Sequence, residues 1–169
     1  MKPKILWLLS LLTILAIGIN SCKIYSFTGA TIEGKTINIL TFENRAPNVV
    51  PTLAPVISDK VRNKILSQTG LAAVNSENAD YMIKAAITGY NVSISGLQGT
   101  TAASQNRLTI TLEVDFTNKL DEKNNFKKSF SRFADFPATS QLNSVENGLI
   151  EEICSQLSDD IFNRAFVNW

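Results

Sequence analysis

From Arg107 to Phe116 the chain alternates without a break, with Leu108, Ile110, Leu112, Val114 and Phe116 on one parity and Thr109, Thr111, Glu113 and Asp115 on the other. Successive side chains of a strand point to opposite faces. The pattern therefore predicts a strand with one face on a core and the other wet or turned to a partner. Such a strand needs an apolar layer to lie on it. The C-terminal segment supplies one: Val145, Leu149, Ile153, Leu157, Ile161 and Ala165 form an i, i+4 ladder, flanked by Ile150, Phe162 and Phe166. This predicts a long amphipathic helix from about Thr139 to the end, capped by Ser144 or Ser140.

The remaining elements follow from the same two periods. Thr36 to Phe42 is a β-branched run and reads as a strand, broken by Glu43 to Asn48. Between Thr52 and Thr69, Leu53, Val56, Ile57, Val61 and Ile65 fall at helical spacing. Thr52 is the expected N-cap, Pro55 lies within the first turn, and Gly70 is the expected stop. Leu71 to Val74 suggests a short strand. Tyr81 to Ile94 reads as a long one, with Met82, Lys84, Ala86, Thr88, Tyr90, Val92 and Ile94 on one face. A polar loop, Asn118 to Asn125, precedes a last strand from Phe126 to Phe136. The sum is an α+β fold: two amphipathic helices on one face of a four- to five-stranded mixed sheet, in the order β-α-(β)-β-β-β-α.

The amino terminus has a different logic. Met1-Lys2-Pro3-Lys4 is a short positive region, and Ile5 to Ile19 is apolar apart from Ser10, Thr13 and Gly18. That length suits a signal-peptide core and falls short of the roughly 18 to 20 residues that span a bilayer. The run ends in Ile19-Asn20-Ser21-Cys22, the pattern of a bacterial lipobox. A small residue at Ser21 lets the peptidase pass the backbone, and the sulfur of Cys22 accepts a diacylglyceryl thioether, followed by N-acylation. An ordinary secretory signal ending near a cysteine is the competing reading. On the lipobox reading, residues 1–21 are removed, 22–35 form a lipidated tether and 36–169 form one domain. Two or more acyl chains make such an anchor stable. Lys23 in place of aspartate after the cysteine points to the outer membrane, facing the periplasm.

Removing residues 1–21 leaves 148 of 169 residues and takes Lys2 and Lys4 with it, so sixteen basic residues become fourteen against fifteen acidic, a net charge of −1. A near-neutral chain is not a nucleic-acid binder by bulk charge. The absence of histidine excludes imidazole acid–base chemistry, Ser-His or Cys-His nucleophile pairs and His metal sites. Glu151-Glu152 and Asp159-Asp160 are adjacent on a helix and diverge by about 100°, so neither pair can act on one bond. Gly96-Leu97-Gln98-Gly99 lacks the lysine of a phosphate loop and reads as a hairpin tip. With Cys22 lipidated, Cys154 has no disulfide partner and reads as a buried structural thiol. No catalytic residue, metal site or cofactor is expected beyond the lipid on Cys22.

Two features suggest interaction. Ala85 to Asn106 carries no charge over 22 residues. It reads either as a flexible hairpin or as a hairpin that enters a crowded polar surface, where charge is costly to desolvate. Arg107, Lys127, Lys128 and Arg132 lie on neighbouring strands and are expected to converge at one edge, as solvated surface charge or as anion contacts.

The segment Cys22-Lys23-Ile24-Tyr25-Ser26-Phe27-Thr28-Gly29-Ala30 resembles the start of the LptE family of lipopolysaccharide-assembly lipoproteins. The similarity continues through Asn106-Arg107-Leu108-Thr109-Ile110-Thr111, Phe130-Ser131-Arg132-Phe133-Ala134-Asp135-Phe136 and Ile150-Glu151-Glu152-Ile153 to Phe166-Val167-Asn168-Trp169. The resemblance implies a two-helix, four-stranded sandwich without enzymatic activity. It also implies a partner, the outer-membrane β-barrel LptD, which LptE plugs and helps to assemble, and a ligand, lipopolysaccharide. On that reading Arg107, Lys127, Lys128 and Arg132 are candidate lipopolysaccharide contacts, and Ser95, Gln98, Thr100, Thr109 and Thr111 are candidate barrel contacts. A plug needs a solid core and a polar exterior, since such lumens are polar. A periplasmic lipid carrier would need an internal apolar cavity instead, and a generic outer-membrane adaptor would need neither.

Overall fold

A computed structural model describes residues 32–95 and 105–167. The signal segment, Cys22, the Gly96-Leu97-Gln98-Gly99 tip, Thr100 and the closing Asn168-Trp169 lie outside the described residues. In chain order the elements are β1 (Thr36–Ile39), β2 (Glu43–Asn44), α1 (Leu53–Thr69), β3 (Ala72–Ala73), β4 (Tyr81–Ser95), β5 (Gln105–Asn118), β6 (Phe126–Pro137) and α2 (Leu142–Phe166), with a 3-10 turn at Glu122–Asn124. The sheet runs β3-β1-β4-β5-β6, and β2 pairs with β4 off that path. β1 is parallel to β3 and β4, and β2 to β4, while β4–β5 and β5–β6 are antiparallel. The fold is α+β with a mixed sheet, as the two periods predict.

The core is the meeting of one strand parity with two helical stripes. Leu108, Ile110, Leu112 and Val114 are fully buried, as are Leu53, Ile57, Val61 and Ile65 of α1 and Ile153, Leu157 and Ile161 of α2. Burying a side chain of this size contributes roughly 1.5–3 kcal/mol, so the helix-to-sheet seam dominates stability. Two cross-helix ion pairs, Lys60 to Glu151 at 2.5 Å and Lys64 to Asp159 at 2.7 Å, run along the outside of the helix layer. At the end of the sheet where the chain enters, Phe166 meets Tyr81 edge-on with ring centroids 5.4 Å apart and Phe116 at 5.6 Å, closing the core.

Several expectations change. The first strand stops at Ile39 because the amide of Phe42 donates to the Ser58 hydroxyl of α1 at 3.0 Å instead of to a neighbouring strand. The segment read as a break then re-enters the sheet, with Glu43 opposite Ala86 and Asn44 opposite Ile87. Thr52 occupies the N-cap of α1 without a side-chain hydrogen bond, whereas Gly70 supplies the left-handed stop at φ 68°. α2 starts at Leu142 with Gln141 as N-cap. The Ser144 hydroxyl donates back to the Gln141 carbonyl at 2.7 Å, so neither Ser144 nor Ser140 caps the helix.

The long strand β4 departs most. Its large core side chains are Tyr81, Ile83 and Ile87, then Tyr90, while the small Ala86 and Gly89 are buried on the other face, so the core-facing parity switches from odd to even. Ile87 lies opposite Leu112 and Gly89 opposite Thr111, leaving Thr88 as the extra residue of a bulge. The single face expected for Met82 through Ile94 is therefore split. Only Tyr90, Val92 and Ile94, beyond the bulge, have the parity of the core face.

Candidate functional site

Directly paired residues share a face, so the strand registers define the sheet surface that no helix covers. Toward the hairpin end its rows are Gly89–Thr111–Ser131, Asn91–Thr109–Phe133 and Ser93–Arg107–Asp135. Toward the chain-entry end they are Ala86–Glu113–Ser129 and Lys84–Asp115–Lys127. The upper half is thus mainly hydroxyl and amide, with one ion pair, and the lower half carries charges of both signs. The hydroxyls of Thr111 and Ser131 are 3.1 Å apart, and Lys127 Nζ is 3.0 Å from Glu113.

Of the candidate barrel contacts, Thr109 and Thr111 sit half-buried on this open face, and Ser95 pairs with Gln105 where β4 and β5 leave the described residues. Gln98 and Thr100 lie outside those residues. The four candidate cations do not converge. Arg107 and Lys127 are on the open face, whereas Arg132 lies opposite Ile110 and Lys128 opposite Val114, on the helix side. The strand parity of β6 separates them, because 127 and 128 are neighbours and 107 pairs with 135, not with 132.

Three of the four cations already hold a carboxylate. Arg107 donates from Nε and Nη2 to the two oxygens of Asp135 at 2.7 and 2.8 Å, and its guanidinium carbon lies 3.5 Å from the centre of the exposed Phe133 ring. The fork keeps the Asp135 carboxyl below the usual carboxylate range. Arg132 donates in the same way to Asp160 of α2, at 2.5 and 2.6 Å, and its own pKa is raised by those bonds. Lys127 pairs with Glu113. Lys128 stands over the Phe130 ring at 5.5 Å. Sequence reasoning singled out the cations and missed their partners. Asp135 and Asp160 become visible only once the β5–β6 register and the rotation of α2 are known.

A groove of about 380 Å³ runs between β6 and α2, with Lys128, Arg132, Asp160, Asn163 and Arg164 on its walls. A second, of about 500 Å³, lies beyond the short β3 beside Ile39 to Thr41, where Arg62 donates to the Ile39 carbonyl at 3.1 Å. Among the described residues no three His, Cys, Asp or Glu side chains come together as a metal site, and no helix is long and apolar enough to cross a membrane. Burial pushes the Cys154 thiol up to about 12, with the charge of Glu151 adding to the shift.

A family model described as LptE, lipopolysaccharide-assembly, matches residues 34–165, more than half of the chain. No curated protein sequence matches. Three solved structures share the fold. A hypothetical protein from Chlamydia trachomatis, 9% identical, gives a TM-score of 0.55 over 80% of this chain and 99% of its own. A minor lipoprotein from Acinetobacter baumannii, 14% identical, gives 0.53 over 79% and 93%. A Xanthomonas campestris protein, 13% identical, gives 0.51 over 78% and 83%. At these identities the likeness is one of fold.

Proposed function

The chain belongs to the LptE lipopolysaccharide-assembly family, and from that premise we propose that it is a subunit of the outer-membrane machine that exports lipopolysaccharide. In this reading Cys22 carries the lipid anchor and the domain faces the periplasm. The domain fills the lumen of an LptD-like β-barrel, assists its assembly and touches lipopolysaccharide through placed cations. The role is one of occupying and handing on, without catalysis.

The observation that carries the reading is the character of the open sheet face. Three successive rows present Thr111, Ser131, Asn91, Thr109 and Ser93 around one exposed ring, Phe133, which lies under the Arg107 guanidinium, and their only charges, Arg107 and Asp135, neutralise each other. Barrel lumens are polar, and a surface of hydroxyls and amides can exchange water for wall groups without stranding a charge. The described parts of the uncharged run from Ala85 to Asn106, at the end of β4 and the start of β5, adjoin this face. Lipopolysaccharide phosphates would compete with Asp135 and Asp160 for the guanidinium forks of Arg107 and Arg132, with Lys127 and Lys128 as neighbours.

Affinity purification of the tagged chain from detergent-solubilised membranes tests the partner. Recovery of a large β-barrel at near-equal stoichiometry is the expected result, and its absence overturns the plug. Palmitate labelling should disappear in Cys22→Ser. For the ligand, Arg107→Glu with Arg132→Glu should weaken lipopolysaccharide binding in a folded protein. Unchanged binding would confine the function to barrel assembly.

A further inference from the structure

The groove between β6 and α2 carries two cations that no carboxylate among the described residues pairs with. Arg132 is neutralised by Asp160. Lys128 and Arg164 form no ion pair among the described residues, and each rests on an aromatic face: Lys128 Nζ is 5.5 Å from the Phe130 centroid and the Arg164 guanidinium carbon 4.6 Å from that of Phe126. An aromatic face orients a cation without cancelling its charge. The groove therefore holds two oriented, unneutralised cations, beside a bidentate Arg132–Asp160 fork and the exposed Asn163. β6 is also the last strand of the sheet. Its outer edge is open to a ligand.

Position adds the second argument. The register places Ile39, Ile83, Phe116 and Phe126 in one row across β1, β4, β5 and β6, at the end of the sheet where the chain enters. At about 4.8 Å per strand, the start of β6 lies only about 14 Å across the sheet from β1. Nine residues lie between Cys22 and Ile32, the first described position, and the ten steps from one to the other span at most about 35 Å. An acylated Cys22 would thus keep the Lys128–Arg164 end of the domain within reach of a leaflet surface. Two cations in an open groove match one or two phosphates. They are too few for a polyanion on a chain whose mature net charge is −1.

We propose that the β6–α2 groove is a binding site for the phosphate of an anionic phospholipid headgroup, held by Lys128 and Arg164, which orients the anchored domain against its membrane. The membrane-side placement rests on the Cys22 anchor. The phosphate chemistry does not.

The full chain, kept in a neutral nonionic detergent, is titrated with dihexanoyl phosphatidylglycerol, dihexanoyl phosphatidylcholine and inorganic phosphate, with amide hydrogen exchange followed in residues 126–132 and 160–166. Phosphatidylglycerol should bind and slow exchange in both segments, more tightly than either comparison ligand and less so as salt rises. Near a surface each cation is worth about fivefold in affinity, so Lys128→Ala with Arg164→Ala should weaken binding about 25-fold. Lys84→Ala, on the opposite face of the sheet, should leave it unchanged. A double variant that melts like the parent and binds equally well overturns the site. Inorganic phosphate binding as tightly as phosphatidylglycerol overturns the lipid assignment. Failure of Cys22 to take up palmitate removes the anchor while leaving this titration intact.

Discussion

Arg132 of β6 reaches across to α2 and holds both carboxylate oxygens of Asp160, at 2.5 and 2.6 Å. Among the described residues it is the only ion pair that joins the sheet to the helix layer, since the others lie between β2 and the residue that follows it, within or between helices, or between β5 and β6. The arginine is about half exposed, so its energetic share is small: about 1 kcal/mol or less. Its geometric share is larger, because β6 is an edge strand with one neighbour. A double-mutant cycle with Arg132→Ala and Asp160→Ala should return a coupling of that size, reduced by salt, and exchange in β6 should rise in both single variants. A coupling near zero with unchanged exchange would make the fork decorative.

The Thr88 bulge makes a sharper prediction at Gly89. A β-carbon added there would lie 3.2 Å from both the Cβ and the Oγ1 of Thr111, tighter than ordinary contact. Gly89→Ala should therefore destabilise the fold, by about 1–3 kcal/mol as an overpacked site. Thr111→Ala added to it should restore only part of the loss, because alanine removes the Oγ1 contact and keeps the Cβ at 3.2 Å. Thermal melting of the two variants decides the matter, and a Gly89→Ala protein as stable as the parent would mean that β4 shifts freely at the bulge.

How much of this was legible in the sequence depends on which neighbours a residue answers to. Leu108 to Phe116 and Ile153 to Ile161 announced the core because burial imposes a period on consecutive residues. Gly70 announced its turn because a left-handed φ leaves little choice. The parity switch in β4 left no such trace: Thr88 is unexceptional as a residue, and the bulge exists because β5 offers one residue fewer opposite it. The cations tell the same story. Arg107 and Arg132 were visible as charges, yet their division between two faces and their pairing with Asp135 and Asp160 depend on the register of β6 and the rotation of α2. These are relations between segments that no local window contains.

The point where the chain enters the domain carries a pH dependence with a defined sign. The Asp80 carboxylate accepts from the Lys35 amide at 2.8 Å, the Thr36 hydroxyl at 2.9 Å and the Thr36 amide at 3.0 Å, and these bonds hold its pKa below the ordinary value of 3.8. A carboxyl with a lowered folded pKa contributes stability above its unfolded pKa and loses it as pH falls through the folded value. The Lys35 and Thr36 amides should therefore be protected from exchange at pH 6 and should lose that protection below pH 4, ahead of the core. In Asp80→Asn the protection should be weaker at neutral pH and nearly flat with acid. Equal protection in parent and variant would show that β1 pairing alone holds this segment.

Cys154 offers a test that also reads the anchor. It lies in α2 with no exposure, between Ile153 and the Leu157 turn, and burial is the main reason its thiol rises to about 12, with Glu151 adding and Lys60 opposing. The thiolate is the reactive form, and at pH 8 a thiol with that pKa is ionised to roughly one part in ten thousand. An aromatic disulfide reagent at pH 8 should leave the folded protein untouched for as long as it stays folded, and the rate of labelling in mild denaturant should follow opening of the α2 seam. Rapid reaction of the native protein would mean that α2 is not docked as described. In full denaturant the count of thiols then decides a separate question, because the sequence holds two cysteines. One reactive thiol, with the mass of two or more acyl chains on the chain, is the outcome that the anchor predicts, and two mean that Cys22 is free and the anchor reading fails.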